Sequence, residues 1–278
     1  MRTFLVLVLC CLGFAARAES VELVLPNKLA ATAEYRKGDP NKPAVILLHG
    51  FLQTHEFPTL QRLVEGIADS GRTVLAPTLS LGVTHRQQSL ACEAMHTYTM
   101  ADVGQEIDAW VKWLKVRQPG PIILIGHSIG SMEMLAYLSA KPDPAISRFI
   151  GISLIEGRLE LTEAETARLI ARLRQAATTG KPRMVTHQFS FCQKYQATPA
   201  SLLSYLEWTP ARVLAASAKL KLPKLFIMGG RDDRLGSGWV DKLKTRNRVK
   251  VIPGAKHFMD GEHEFELLDA VLDELKQP

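Results

Sequence analysis

The sequence predicts a single α/β domain, and three observations carry that prediction. Short apolar runs alternate along the chain with stretches whose apolar residues recur at helical spacing. One apolar run, Ile122-Ile123-Leu124-Ile125, leads directly into Gly126-His127-Ser128-Ile129-Gly130. Two later runs end in Gly229-Gly230-Arg231-Asp232-Asp233 and in Pro253-Gly254-Ala255-Lys256-His257-Phe258. At 278 residues and 46% hydrophobic, the chain can build one sizeable core. No internal repeat or low-complexity stretch argues for another architecture.

Residues 1–18 have the layout of an export signal. Arg2 supplies the positive start, Phe4 to Leu12 the apolar run, and Ala16-Arg17-Ala18 an A-x-A cleavage site. The run is too short to span a bilayer, and an uncleaved anchor is the competing reading. Cys10 and Cys11 do not follow the small residue that a lipid-attachment site needs, so no lipidation is expected. No later stretch is long and apolar enough to cross a membrane. Cleavage removes Arg2 and Arg17 and no acid, lowering the net charge of +6 by two. The remaining cations are scattered, without a basic stripe or interleaved aromatics, which speaks against a nucleic-acid partner.

The elements follow in order. Residues 21–25 and 32–35 read as an opening hairpin at a sheet edge. Residues 44–48, all apolar, form a buried strand running into His49-Gly50-Phe51-Leu52. Leu60, Leu63, Val64 and Ile67 share one face of a helix over 59–68, which Ser70-Gly71 ends. Residues 73–76 form a strand, and 79–99 an irregular polar loop carrying His85, Arg86, Cys92 and His96. A helix over 100–116 buries Val103, Ile107, Trp110, Val111 and Leu114. The strand at 122–125 is followed by a turn and a helix over 132–138, and 148–155 is a further core strand.

Residues 156–222 interrupt this alternation. Thr162-Glu163-Ala164-Glu165 is a capping box opening a helix with Leu169, Ile170 and Leu173 on its apolar face, and Gly180 closes the region. Thr198-Pro199 and Thr209-Pro210 each combine an N-cap with proline at the first helical position. Leu202, Leu203 and Leu206 mark one helix, Val213 and Leu214 the next, so this stretch is expected to be mainly helical. Strands at 224–228 and 249–252 resume the alternation. A helix over 264–275 closes it, with Phe265, Leu267, Leu268, Val271 and Leu275 as core candidates.

Gly-x-Ser-x-Gly between an apolar strand and a helix puts a serine on a strained turn, its hydroxyl lifted clear of the sheet. Gly126 and Gly130 are needed because a side chain at either place would strike a neighbouring element. A serine hydroxyl is a poor nucleophile at neutral pH and needs a base and an orienter. His257 is the candidate base. His49 belongs to the loop after the 44–48 strand, His127 fills the spacer position of the motif, and His55, His85, His96, His187 and His263 lie in loops or at a helix start. No histidines show metal-site spacing, and His85 and His96 read as solvated. Counting from Gly229 gives Asp232 as the acid, the favoured frame because the strand ending at Met228 abuts Gly229; counting from Gly230 gives Asp233 as the alternative.

Taken together, the strand-ended serine, acid and histidine and the His49-Gly50-Phe51 segment resemble the α/β-hydrolase superfamily. The resemblance covers residues from about 21 to the C-terminus, apart from the 156–222 stretch. It implies a mostly parallel central sheet flanked by helices, with that stretch as a helical cap over the site. It also implies that the backbone N–H groups of Phe51 and Ile129 form an oxyanion hole. Glu156 enters as an outside candidate for the acid, since some members of the superfamily place the acid after an earlier strand. Phe51 is a candidate for the pocket wall, and Phe189, Phe191 and Tyr195 either line an acyl pocket or pack the cap onto the domain.

The implied chemistry is cleavage of an ester or related acyl bond on a small-molecule acyl substrate, with no metal or organic cofactor. Lipase, acyltransferase or peptidase action on the same scaffold, or a non-catalytic binding protein, are the alternatives. A serine at this position argues against dehalogenase and epoxide-hydrolase chemistry, which use aspartate there. Export leaves two cysteines, Cys92 and Cys192, and an even pair in an oxidising compartment is expected to form a disulfide. Two separately buried thiols are the alternative. The absence of an Asn-x-Ser/Thr sequon fits a periplasmic or secreted protein.

Overall fold

A computed structural model describes residues 17–140, 142–157, 161–178 and 183–277. The stretch expected to be an export signal, up to residue 16, and Gly180 lie outside the described residues. Ala18, the residue before the expected cleavage point, opens the first strand.

Among the described residues the central sheet has eight strands: β1 (Ala18–Val24), β2 (Ala30–Arg36), β3 (Ala44–Leu48), β4 (Val74–Thr78), β5 (Ile122–His127), β6 (Ile146–Ile152), β9 (Lys224–Gly229) and β10 (Val249–Ile252). Their spatial order is β1-β2-β4-β3-β5-β6-β9-β10. β1 and β2 are antiparallel to their neighbours at one edge, and every pairing from β4 to β10 is parallel. The central strands are apolar throughout because both faces are covered. Ile46 and Leu48 pack into the core on one side, Val45 and Leu47 into the core on the other, as the two-residue strand period requires.

Helices α2 (Met100–Arg117) and α3 (Ile129–Ser139) cover the first side; α1 (Pro58–Asp69) and α8 (Glu264–Leu275) cover the second. Their buried faces are those the spacing predicts: Val103, Ile107, Trp110, Val111 and Leu114 on α2, and Leu60, Leu63, Val64 and Ile67 on α1. Phe265 is a correction. It is 68% exposed, because a residue two positions before Leu267 stands about 200° around the helix from it.

Between β6 and β9 the chain leaves the sheet. This insert contains α4 (Glu163–Ala177), α5 (Pro199–Leu206) and α6 (Pro210–Lys219), each opened by the expected threonine cap. It also contains an antiparallel hairpin, β7 (Val185–Phe189) with β8 (Cys192–Ala197), which the expectation of a mainly helical segment missed. The short α7 (Trp239–Lys244), between β9 and β10, was not anticipated either.

Candidate active site

The serine, the histidine and one of the two aspartates converge beyond the carboxyl ends of the parallel strands. Ser128 connects β5 to α3 with φ 57° and ψ −123°, a conformation that costs an L-residue energy and lifts its side chain off the sheet. The flanking glycines permit it. A Cβ on Gly126 would sit 2.6 Å from Gly130 O and Ser131 N, and one on Gly130 would lie 2.3 Å from His49 O. The second contact also shows that the first turn of α3 touches the backbone of the loop after β3.

That loop is fixed by His49. Its Nε2 accepts the N–H of Leu79 at 3.0 Å, so its proton is on Nδ1, which donates to Gly50 O at 2.8 Å. Burial, and then the nearby Arg86 guanidinium, hold the imidazole well below its usual titration range, so the ring stays neutral. Arg86 itself donates to Leu79 O, to Gln53 O at 2.7 Å and to Gln88 O at 2.9 Å. The structure therefore places Phe51 in a braced turn and Ile129 at the first position of α3, on two segments in backbone contact.

His257 lies in the loop after β10 and is 2% exposed. Its Nε2 is 2.8 Å from Ser128 Oγ, and its Nδ1 is 2.8 Å from Asp232 Oδ2. The Asp232 side chain has no exposed surface, and its Oδ1 accepts the N–H of Arg234 at 3.0 Å. Asp233 is exposed, and Glu156 lines the same cavity, but it is Asp232 that His257 meets.

Two residues that the sequence reading did not single out as part of the site hold His257 in place. Its carbonyl oxygen accepts Ser153 Oγ–H at 2.7 Å and His127 Nε2–H at 3.2 Å. Burial first, then the neighbouring His257 and Arg234 side chains, push the His127 ring down to about 3, so it remains neutral. His127 was legible only as the spacer of the motif. Ser153, at the end of β6 with φ 47°, had no signal beyond its place after a strand.

The cavity above Ser128 has a volume of about 350 Å³ and is walled by Ile129, Met132, Phe189, Phe191 and Leu235. Phe189 and Phe191 come from the turn of the β7–β8 hairpin. The Phe51 ring packs against them at 5.2 and 5.6 Å, with the fully buried Tyr195 behind at 5.5 Å. Phe189 and Phe191 line the cavity, whereas Phe51, expected in its wall, packs behind them with Tyr195.

Cys92 and Cys192 are bonded, with Cα atoms 5.4 Å apart. The bond ties the loop before α2 to the residue next to Phe191. His96, read as solvated, is buried instead. It bridges to Ala197 of β8, and its ring stacks on Tyr195 at 4.2 Å, because this loop forms a seam with the hairpin. His85 is exposed and faces Glu22 at 2.8 Å. Among the described residues no three His, Cys, Asp or Glu side chains converge as a metal site would, and no helix is long and apolar enough to cross a membrane.

Residues 45–270 match the model of a family described as the alpha/beta hydrolase family. No curated protein matches the chain. Among solved structures it is similar to Est1E from Butyrivibrio proteoclasticus with ferulic acid bound, at 17% identity and TM-score 0.66, covering 92% of this chain and 97% of that one. The alpha/beta hydrolase GrgF from Penicillium sp. sh18 is 16% identical at TM-score 0.70, over 94% and 98% of the two chains. A thioesterase domain from the curacin biosynthetic pathway is 17% identical at TM-score 0.61, over 93% and 99%. At these identities the likeness speaks for the fold, and the family match adds the membership: the chain belongs to the alpha/beta hydrolase family.

Proposed function

We propose that this protein is an exported serine hydrolase that cleaves an ester or related acyl bond. The observation that carries the reading is the unbroken relay from Ser128 Oγ through the His257 ring to Asp232, each step 2.8 Å. Ser128 Oγ attacks the acyl carbonyl while His257 Nε2 takes the hydroxyl proton. Asp232 keeps the other ring nitrogen protonated and stabilises the imidazolium. The N–H groups of Phe51 and Ile129 receive the negative charge on the carbonyl oxygen, a contribution of about 3 to 4 kcal/mol per donor in related sites. His257 then returns its proton to the leaving group. Water, deprotonated by the same ring, releases the acid from Ser128. The insert acts as a cap whose Phe189 and Phe191 bound the acyl cavity. The disulfide supports an oxidising location, periplasmic or extracellular, in keeping with the export signal at residues 1–18.

Mature protein should be labelled by a fluorophosphonate and should hydrolyse p-nitrophenyl esters, with the chain-length profile reporting the cavity. Ser128→Ala should remove labelling and lower turnover about 10⁶-fold, with the fold retained because the glycines set the turn. Turnover within about tenfold of the parent, against that expected loss, would sink the mechanism. A parent protein that neither labels nor turns over would instead be a binding protein on this fold.

A further inference from the structure

Arg234 stands on the rim of the cavity that holds Ser128 and His257. Its N–H donates to Oδ1 of Asp232, so its backbone is anchored to the carboxylate that meets His257. Its guanidinium lies 4.6 Å from the centre of the Phe258 ring and 6.0 Å from that of Phe191. Rings on two sides restrict the side chain while leaving its charge intact. Among the described residues no carboxylate pairs with it. Glu156, on the same cavity wall, already has a partner. Asp233 is the remaining rim acid; it is exposed and makes no ion pair with Arg234 among the described residues.

This cation has a chemical consequence. Attack by Ser128 makes His257 an imidazolium whose charge Asp232 balances, so the Arg234 guanidinium is the cation at the cavity rim that an anion on the substrate would satisfy. Position says which half of the substrate carries it. Phe258, which holds the guanidinium, is the residue after His257, and its ring is 5.3 Å from the His257 ring. The base hands its proton to the leaving group, so the leaving half passes on this side. The apolar wall of Ile129, Met132 and Phe189 receives the acyl half. Resting on the hydrolase reading, we infer that Arg234 is a specificity residue and that the preferred substrates are esters or thioesters whose leaving half bears a carboxylate or phosphate.

The test compares 4-acetoxybenzoate with 4-acetoxybenzamide, which differ in charge and hardly in shape, using mature protein at low ionic strength. The carboxylate ester should have the higher kcat/KM, by about fivefold, as for an exposed ion pair, and added salt should shrink the preference. Arg234→Gln should bring the ratio near one, and Arg234→Glu should invert it. 4-Acetoxyphenyl phosphate as a third substrate separates the two anions: the larger preference names the favoured one. A ratio of one or less in the parent protein would overturn the inference. So would an Arg234→Gln variant that slows both esters in equal proportion, since that is the mark of a packing role over Phe258. Hydrolysis of both esters with Ser128 labelled and no charge preference sinks this inference alone. Absence of both hydrolysis and labelling sinks the hydrolase reading and this inference with it.

Discussion

Asp232 and Asp233 are the same residue type one position apart, and the backbone decides between them. β9 ends at Gly229, and the turn that follows sends Asp232 inward to His257 Nδ1 and leaves Asp233 at the surface. The sequence favours the Gly229 frame because the apolar run abuts that glycine, and the strand does end there. Asp232→Asn keeps the shape but offers an amide where the imidazole N–H needs an acceptor. In a related triad such a change costs about 10⁴ in turnover. Asp233→Asn should stay within a few-fold of the parent. A larger turnover loss for Asp233 than for Asp232 would show that the carboxylate read here as the orienter is not the working one. The same scale shows what sequence conceals. Ser128 announced itself by its motif, whereas Ser153 and His127 bear on His257 through its main-chain oxygen, a contact that neither spacing nor residue type advertises.

The elements with the plainest sequence signal are those buried on both faces or amphipathic over several turns. β3 and β10 begin and end where their apolar runs do, and α8 spans its expected range. The β7–β8 hairpin escaped notice because Thr186, His187, Gln188, Gln193 and Lys194 dilute its pattern. It stands in the insert with one side against the Phe51 cluster, so no continuous apolar run was needed. Glycine placement, by contrast, was legible and has a measurable consequence. Gly130→Ala puts a methyl carbon 2.3 Å from His49 O, against backbone and not against a side chain that can swing aside. The first turn of α3 and the Phe51 loop must then separate. Unfolding stability should fall by about 1 to 3 kcal/mol, as for overpacking. Turnover should fall further than stability, because the two amides assigned to the oxyanion move apart. Denaturant titration alongside kcat checks this, and a variant matching the parent in both would refute the close contact.

At the scale of the whole molecule, the described residues join insert and sheet domain through the aromatic cluster around Phe51, the Cys92–Cys192 bond and a buried polar contact. The Cys92–Cys192 bond links residues 100 apart in sequence, so reduction should cost up to about 4.7 kcal/mol in the chain-entropy model. Melting temperatures with and without reductant would measure it, and equal values would mean that the bond constrains little. The polar contact makes a sharper prediction. Glu133, on α3, accepts Tyr205 Oη–H of α5 at 2.7 Å, beneath the insert and 4% exposed. Burial, only partly offset by the tyrosine hydrogen bond, pushes its carboxyl up to about 8 from an ordinary 4.5. The folded protein therefore holds a proton that the unfolded chain releases. The stability linked to this group is fully present below about pH 4.5 and is lost as pH rises through about 8. Glu133→Gln keeps an oxygen for Tyr205 and cannot ionise. Its stability relative to the parent should thus increase from pH 5 to pH 8, by at most about 1.4 kcal/mol per pH unit. Urea unfolding of both proteins across that window measures the slope, and a flat difference would place an ionised Glu133 in the folded state.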